Sequence, residues 1–309
     1  MTVTASGVTA QEESSPITIL VNAASSVDYS ARLVADQLRE ALTRPVVVQP
    51  KLGAGGRIAV AELVRAAPDG RTLLFSPSSP FTIYPNIYKK LDYDPASDVS
   101  FIGNLSWFEV SIATSLQSGL ADMNQLLAWA KSKGKDALYG VAPGTGSSSH
   151  FVGIATSLAA GVSMSPVPYA ASHAAIVDLV AGRLPMLITG TSPLVEMHKA
   201  GKIKIIAVSG QLRSALIPEV PTLLESGINV AIQNSAGLYG PPKLPRALIE
   251  RLYAAMLPMV SKSDVRAKMT GQGMTPAALP GPELASWLAA ERARFEGLAR
   301  AIGYEKEDA

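Results

Sequence analysis

ITILV at residues 17–21, PVVVQ at 45–49 and TLLF at 72–75 are short apolar runs separated by stretches of helical spacing. The first two are rich in β-branched residues, and runs of this length and character read as strands buried on both faces. Between them, Leu33, Val34, Leu38 and Leu42 recur at helical intervals and form one core-facing stripe. Residues 53–56 (GAGG) follow the second run, and a helix over 58–66 is expected after them. Strand and helix alternate, which argues for a parallel sheet covered on both faces.

A second stretch repeats this logic. Helices are expected over 123–131, 150–160 and 174–181, and strands over 137–141, 165–169, 184–188 and 203–208. The tail reads as three helices, 246–262, 263–271 and 281–301, with Pro280 and Pro282 near the start of the last. Two α/β stretches in one chain imply two lobes. Crossings are expected near 111–114 and 234–239, with the last helices returning to the first lobe. That places residues 16–112 plus 237–309 in lobe 1, 113–236 in lobe 2, and 1–15 in a flexible tail. A ligand cleft is then expected between the lobes.

Composition narrows the function. With 48% hydrophobic and 17% charged residues, the 309-residue chain has material for substantial cores and is not a disordered polymer. A net charge of +2 with no basic stripe, and only 6% aromatic residues, argue against a nucleic-acid partner. The absence of cysteine removes disulfides, thiolate nucleophiles and thiolate-held metals. No apolar run is long enough to span a bilayer. Residues 1–16 lack a basic n-region and an apolar h-region. Taken alone they read either as the loose tail of a cytosolic chain or as the start of a secreted chain already relieved of its signal peptide.

The three histidines, His150, His173 and His198, are too far apart for a metal site and read as capping or surface residues. No paired acid and base or activated nucleophile is evident, so no catalytic residue, metal or cofactor is expected. The stretch 142–150 (APGTGSSSH) lies between an expected strand and an expected helix. Backbone N–H groups at a helix start favour anions, and Ser and Thr hydroxyls add donors. The same residues also read as a plain N-cap, and both can hold at once. This loop is neither a Walker A loop nor a nucleophile elbow. GAGG at 53–56 can cradle a phosphate or simply let backbones approach. Ser25, Ser26 and Asp28 suit a helix cap as well as a ligand contact.

Several ordered segments carry a resemblance to a known family. They include PVVV at 45–48 with GAGG at 53–56, AAPDGRTLL at 66–74 and YKKLDYDP at 88–95. YG at 139–140, GTGSSSH at 144–150, VPY at 167–169, KAGK at 199–202 and PEVPT at 218–222 complete the set. From residue 16 to about 303 the chain resembles the substrate-binding receptors of tripartite tricarboxylate transporters, the Bug receptors. The resemblance implies an α/β, two-lobed periplasmic binding protein fold of type II character that closes like a flytrap on a solute. It implies a non-enzymatic, periplasmic receptor, trimmed of its signal peptide, that hands a small carboxylate to integral-membrane permease subunits. A monomer is expected. A sensory receptor for a membrane kinase and, on the fold alone, an α/β transferase acting on a phosphorylated substrate stay open as alternatives.

In that family two loops grip one carboxylate through backbone groups and bridging waters. By position these are residues 22–28 and 143–149, which makes Ala24, Ser25, Ser26, Asp28, Gly144, Thr145, Gly146, Ser147 and Ser148 candidate ligand residues. Ser78, Ser79 and Phe81, just after the third strand, join them, as do Tyr169, Thr189 and Thr191. Phe81 and Tyr84 either reach the cleft, which would suit an aromatic or extended dicarboxylate, or pack under the hinge. The chain departs from the family at three places. The first loop, 22–28 (NAASSVD), lacks the family's glycines; TGTS at 189–192 stands where an Asp-Asn pair is common; and a Trp common in the family is replaced near Ser235.

Overall fold

The computed structural model describes residues 15–23 and 26–308, so the tail expected over 1–15 lies, but for Ser15, outside the described residues. Two sheets organise the rest. The first contains β1 (Ile17–Val21), β2 (Val46–Pro50), β3 (Thr72–Pro77), β4 (Ser100–Phe108), β10 (Asn234–Gly240) and β11 (Thr275–Pro280), in the order β11-β4-β10-β3-β1-β2. The second contains β5 (Val110–Ser115), β6 (Leu138–Val141), β7 (Ser165–Pro168), β8 (Met186–Gly190) and β9 (Ile203–Val208), in the order β7-β6-β8-β5-β9.

The apolar runs at 17–21, 45–49 and 72–75 become β1, β2 and β3, paired in parallel with β1 between the other two. The sheets are nevertheless mixed. β10 lies antiparallel between β3 and β4, β11 runs antiparallel to β4, and β5 lies antiparallel between β8 and β9. Three of these strands, β4, β5 and β10, carry the chain between the sheets. β4 ends at Phe108 and β5 begins at Val110, so Glu109 alone separates the two sheets on the outward pass. The return pass enters the first sheet at Asn234.

Ser209 ties the two passes together. Its N–H donates to the Val110 carbonyl at 2.9 Å, and its carbonyl accepts from the Ile232 N–H at 2.7 Å. Its hydroxyl donates to the Ile232 carbonyl at 2.7 Å and accepts from the Val110 N–H at 3.2 Å.

Helices cover both faces of both sheets. Over the first sheet, α1 (Ser26–Leu42) buries Val27, Ala31, Val34 and Leu38 at three- and four-residue spacing against Ile19, Val21 and Phe75. The helices α9 (Arg246–Met256) and α10 (Ser263–Gly271) add Leu252, Met256 and Met269 to the same core. On the opposite face, α2 (Arg57–Val64) and the first half of α11 (Gly281–Ala301) enclose Leu20, Leu74, Phe81 and Tyr239. The second sheet is covered by α5 (Met123–Lys133) and α6 (Ser148–Ala160) on one face and by α7 (Ser172–Val180) and α8 (Ser192–Lys199) on the other. Burying an aliphatic side chain of this size is worth ~1.5–3 kcal/mol each, so these stripes set how the helices sit.

The expected helix over 246–262 ends at Met256 and tightens into a 3₁₀ turn, Leu257–Val260. Pro258 lacks the N–H an α-helix would need there. Two short helices, α3 (Ser79–Thr82) and α4 (Tyr84–Ile87), lead away from β3. Ile83 and Ile87 share a core with Phe151 of α6 and with Phe295 and Ala299 from the second half of α11. Helix α11 thus packs against both halves. After it the chain returns to the first half, where Glu307 N–H donates to the Ile87 carbonyl at 2.8 Å and Lys89 N–H donates to the Glu307 carbonyl at 2.9 Å.

Candidate functional site

A cleft of about 750 Å³ opens between the sheets. Its walls come from the C-terminal ends of β1, β3, β6 and β8 and from the loops and helix starts that follow them, the usual ligand position in open α/β sheets. A smaller hollow of about 410 Å³ beside Ile58, Glu62 and Arg65 is shallow and lies outside this cleft.

From the second half, the loop before α6 supplies Pro143, Thr145, Gly146, Ser147, Ser148 and Ser149 to the wall. Ser147 is the N-cap. Its Oγ accepts from the His150 N–H at 3.3 Å and donates to the Gly144 carbonyl at 2.7 Å. Its carbonyl accepts from the Phe151 N–H. That leaves the N–H groups of Ser148 and Ser149 at the open positive end of a 13-residue helix. Ser148 Oγ is buried and has no hydrogen-bond partner among the described residues. A helix start in the cleft wall, with a spare hydroxyl buried beside it, suits an anionic oxygen.

His150 is not the surface or capping side chain expected from the sequence. It is 5% exposed, and its Nδ1 accepts from the Gly146 N–H at 3.1 Å. Burial holds its pKa down, at about 4, against the opposing pull of Glu307. The neutral ring, with its proton on Nε2, therefore braces the turn. Gly146 itself has φ +73°, and a Cβ there would meet Ile87 Cδ1 at 2.6 Å. Only glycine lets this loop approach α4 so closely. His173 is exposed, and His198 Nδ1 accepts from the Ile205 N–H at 3.2 Å, away from the cleft.

From the first half come Asn22, Ala23 and Ser26, the turn containing Gly53, Gly55 and Gly56, and Ser79, Tyr84 and Tyr88. Asn22 Nδ2 donates to Ser76 Oγ at 2.8 Å. Gly56, at φ +90°, passes so close to Asn22 that a Cβ would lie 2.7 Å from Nδ2. The expected Gly-rich turn at 53–56 thus packs against the first loop and seats Asn22. Tyr84 donates its hydroxyl to the Gly55 carbonyl at 2.7 Å, and burial pushes its pKa up to about 12. The floor is formed by Phe108, Glu109, Val110 and Asn234, where the chain passes between sheets.

Of the residues expected at the site, Ser26, Ser79, Thr145, Gly146, Ser147, Ser148, Thr189 and Thr191 line the cleft. Ala24 and Ser25 lie outside the described residues. Five others stand elsewhere. Asp28 is turned to Arg32, one helical turn on, in a 2.8 Å ion pair. Ser78 is buried and accepts from the Ser235 N–H at 3.2 Å, joining β3 to β10. Phe81, expected at the cleft, is 1% exposed and packs between Tyr93 and Tyr239, with ring centroids at 6.4 and 4.5 Å. Gly144 turns the loop without joining the wall, and Tyr169 donates to Asp178 at 2.8 Å.

Thr189 and Thr191 are held in place before any ligand arrives. Thr189 Oγ1 donates to the Ala142 carbonyl and pairs with Ser172 Oγ; Thr191 Oγ1 donates to the Glu109 carbonyl and pairs with Ser111 Oγ. Glu109, Tyr88 and Asn234 were not among the expected residues. Glu109 had one visible signal, an acid flanked by the apolar residues Trp107, Phe108 and Val110. Among the described residues no group of His, Cys, Asp and Glu is placed to hold a metal, and no helix is long and apolar enough to cross a membrane.

Residues 30–304 match the model of the tripartite tricarboxylate transporter family receptor. A UPF0065 protein of Bordetella bronchiseptica is 29% identical over 287 residues, covering 92% of this chain and 85% of the relative. A solved structure of a periplasmic transporter superposes with a TM-score of 0.82 at 27% identity, over 94% of this chain and 98% of that one. MatC from Rhodopseudomonas palustris with bound malate superposes at 0.77 with 26% identity, over 92% and 98%. The fold is that of the two-lobed periplasmic binding proteins, and this chain belongs to the tripartite tricarboxylate transporter receptor family.

Proposed function

We propose that this chain is a periplasmic receptor that captures a small carboxylate between its halves and presents it to the membrane subunits of a tripartite transporter, without chemistry on the ligand. The observation that carries the reading is the start of α6. The first two helix amides, with the buried, unpartnered hydroxyl of Ser148 beside them, belong to a cleft wall that, among the described residues, holds no lysine, arginine or histidine. An anion is held there by dipoles and hydrogen bonds, the least sequence-demanding way to bind a carboxylate. The family match and a malate-bound neighbour support the ligand class. Tyr84 and Tyr88 give the cleft an aromatic wall in place of Phe81. The halves act as lobes that open and close about Glu109 and the return pass before Asn234, where only two strands of chain connect the sheets.

A thermal-shift screen tests this. Mono- and dicarboxylates, aliphatic and aromatic, are compared with phosphates and sugars. A ligand at a hundred times its Kd stabilises the folded state by about 2.7 kcal/mol, so true ligands raise Tm by several degrees. Shifts confined to carboxylates are expected. Shifts with phosphates or sugars alone, or with none, overturn the proposal.

A further inference from the structure

Glu109 is the one charged residue in the cleft wall among the described residues. It is 6% exposed, no ion pair reaches it among those residues, and its Oε1 has no hydrogen-bond partner there. Buried carboxylate oxygens are almost always hydrogen-bonded, and an exception at a binding site points to a group supplied from outside. Burial raises the pKa of the Glu109 carboxyl above its ordinary value, with Ser214 and Thr191 beside it pulling the other way. The backbone of Glu109 is fixed as well, its carbonyl accepting from the N–H and hydroxyl of Thr191 at 3.4 and 3.2 Å. An ionised carboxylate offers acceptors only. The cleft thus pairs a donor-rich α6 end with an acceptor at its floor.

We infer that the ligand is a carboxylate whose other end carries a hydrogen-bond donor, an ammonium first and a hydroxyl or amide next, which Glu109 accepts, and that Glu109 discriminates against dicarboxylates. This rests on the carboxylate reading above and narrows it. With no cation in the wall to neutralise it, a second carboxylate brought to the floor meets a like charge in a poorly solvated place. A donor meets an acceptor that is otherwise unsatisfied.

Isothermal titration with length-matched probes tests the inference. Two aliphatic series are butyrate, 4-hydroxybutyrate, 4-aminobutyrate and succinate, and hexanoate, 6-hydroxyhexanoate, 6-aminohexanoate and adipate. The aromatic series is benzoate, 4-(aminomethyl)benzoate and terephthalate. In the series that fits, the amino acid should bind at least about tenfold tighter than its dicarboxylate, with the hydroxy acid of either aliphatic series between. Glu109→Gln should close or reverse that gap by weakening the amino acid and admitting the dicarboxylate. The wild-type ranking stands alone if the variant does not fold. A dicarboxylate that binds wild type as well as or better than its amino partner overturns the inference while leaving the carboxylate reading intact. So does a wild-type preference that Glu109→Gln leaves unchanged. Failure of every carboxylate in all three series and in the thermal screen overturns the carboxylate reading, and the inference with it.

Discussion

The backbone N–H of Gly146 donates to Nδ1 of His150 at 3.1 Å, so a buried imidazole holds the turn that builds one wall of the cleft. Protonation would turn that acceptor into a donor facing another donor. The folded-state pKa is about 4, below the usual value of 6.5. Between these two values the unfolded chain binds a proton that the folded chain does not. Stability from this residue is therefore complete above about pH 6.5 and is lost as pH falls towards 4, by about 3 kcal/mol in all. Urea unfolding of wild type and His150→Gln at pH 7 and pH 5 checks it. The wild type should lose more stability between the two pH values than the variant, and parallel losses would show that His150 is not the responsible group.

Two neighbouring serines should separate in mutagenesis. Ser147 spends its hydroxyl on the cap, whereas Ser148 Oγ has no partner among the described residues. Ser147→Ala should destabilise the apo protein by about 1 kcal/mol. Ser148→Ala should leave apo stability nearly unchanged yet weaken carboxylate binding by about 1–3 kcal/mol, the scale of a hydrogen bond to a charged group. Calorimetry for affinity and chemical unfolding for stability read the two effects apart. Equal behaviour of the two variants would remove Ser148 from the ligand contact.

Gly146→Ala should lower both stability and affinity. The new Cβ would lie 2.6 Å from Ile87 Cδ1 in a left-handed backbone. Strain and overpacking together should amount to about 2–4 kcal/mol. Ile87→Val removes the colliding methyl, so the double variant should recover part of the loss, leaving the backbone strain. A double variant no better than Gly146→Ala would place the whole effect in the backbone.

Carboxylate affinity should be nearly indifferent to salt. With no cation in the cleft wall among the described residues, there is no exposed ion pair for salt to screen. Titrations between about 0.05 and 0.5 M NaCl should change Kd by less than about threefold, since only an exposed charge pair is strongly screened over that range. A tenfold weakening would reveal a cation reaching the ligand from outside the wall, with Arg57, stacked over the Tyr88 ring at 4.2 Å, the first to mutate.

Much of this site was legible before any coordinates, for definite reasons. The runs at 17–21 and 72–75 are apolar on both faces and lie inside the sheet, whereas 45–49, equally apolar, forms the edge strand β2 with Val47 exposed, so its expected burial on both faces does not hold. Ser147 before an apolar helix is a cap by chemistry alone, and the ordered matches to the receptor family fixed the architecture. What stayed hidden depended on direction and on distant partners. β10 is SAGLY flanked by Asn234 and Gly240, and small residues carry little strand signal, so its antiparallel insertion between β3 and β4 was read only as a crossing. The sheet membership of β5 and β10 puts the passes at Glu109 and just before Asn234, a few residues ahead of 111–114 and at the start of 234–239. Phe81 was assigned to the cleft because of where it follows β3, but Tyr93 and Tyr239, 12 and 158 positions on, claim it for the core. Asp28 stands in the first turn of α1, expected at the ligand, yet Arg32 at i+4 takes its carboxylate.

The segment that returns after α11 has a practical use. Glu307 pairs with the backbone on either side of Tyr88, a residue of the cleft wall, and Asp308 stands beside it with its side chain 88% exposed. The chain contains no cysteine. Asp308→Cys would therefore give a single thiol, and a dye attached there would ride on the rim of the mouth. Its emission would follow closing in real time, while every atom argued to touch the ligand stayed native.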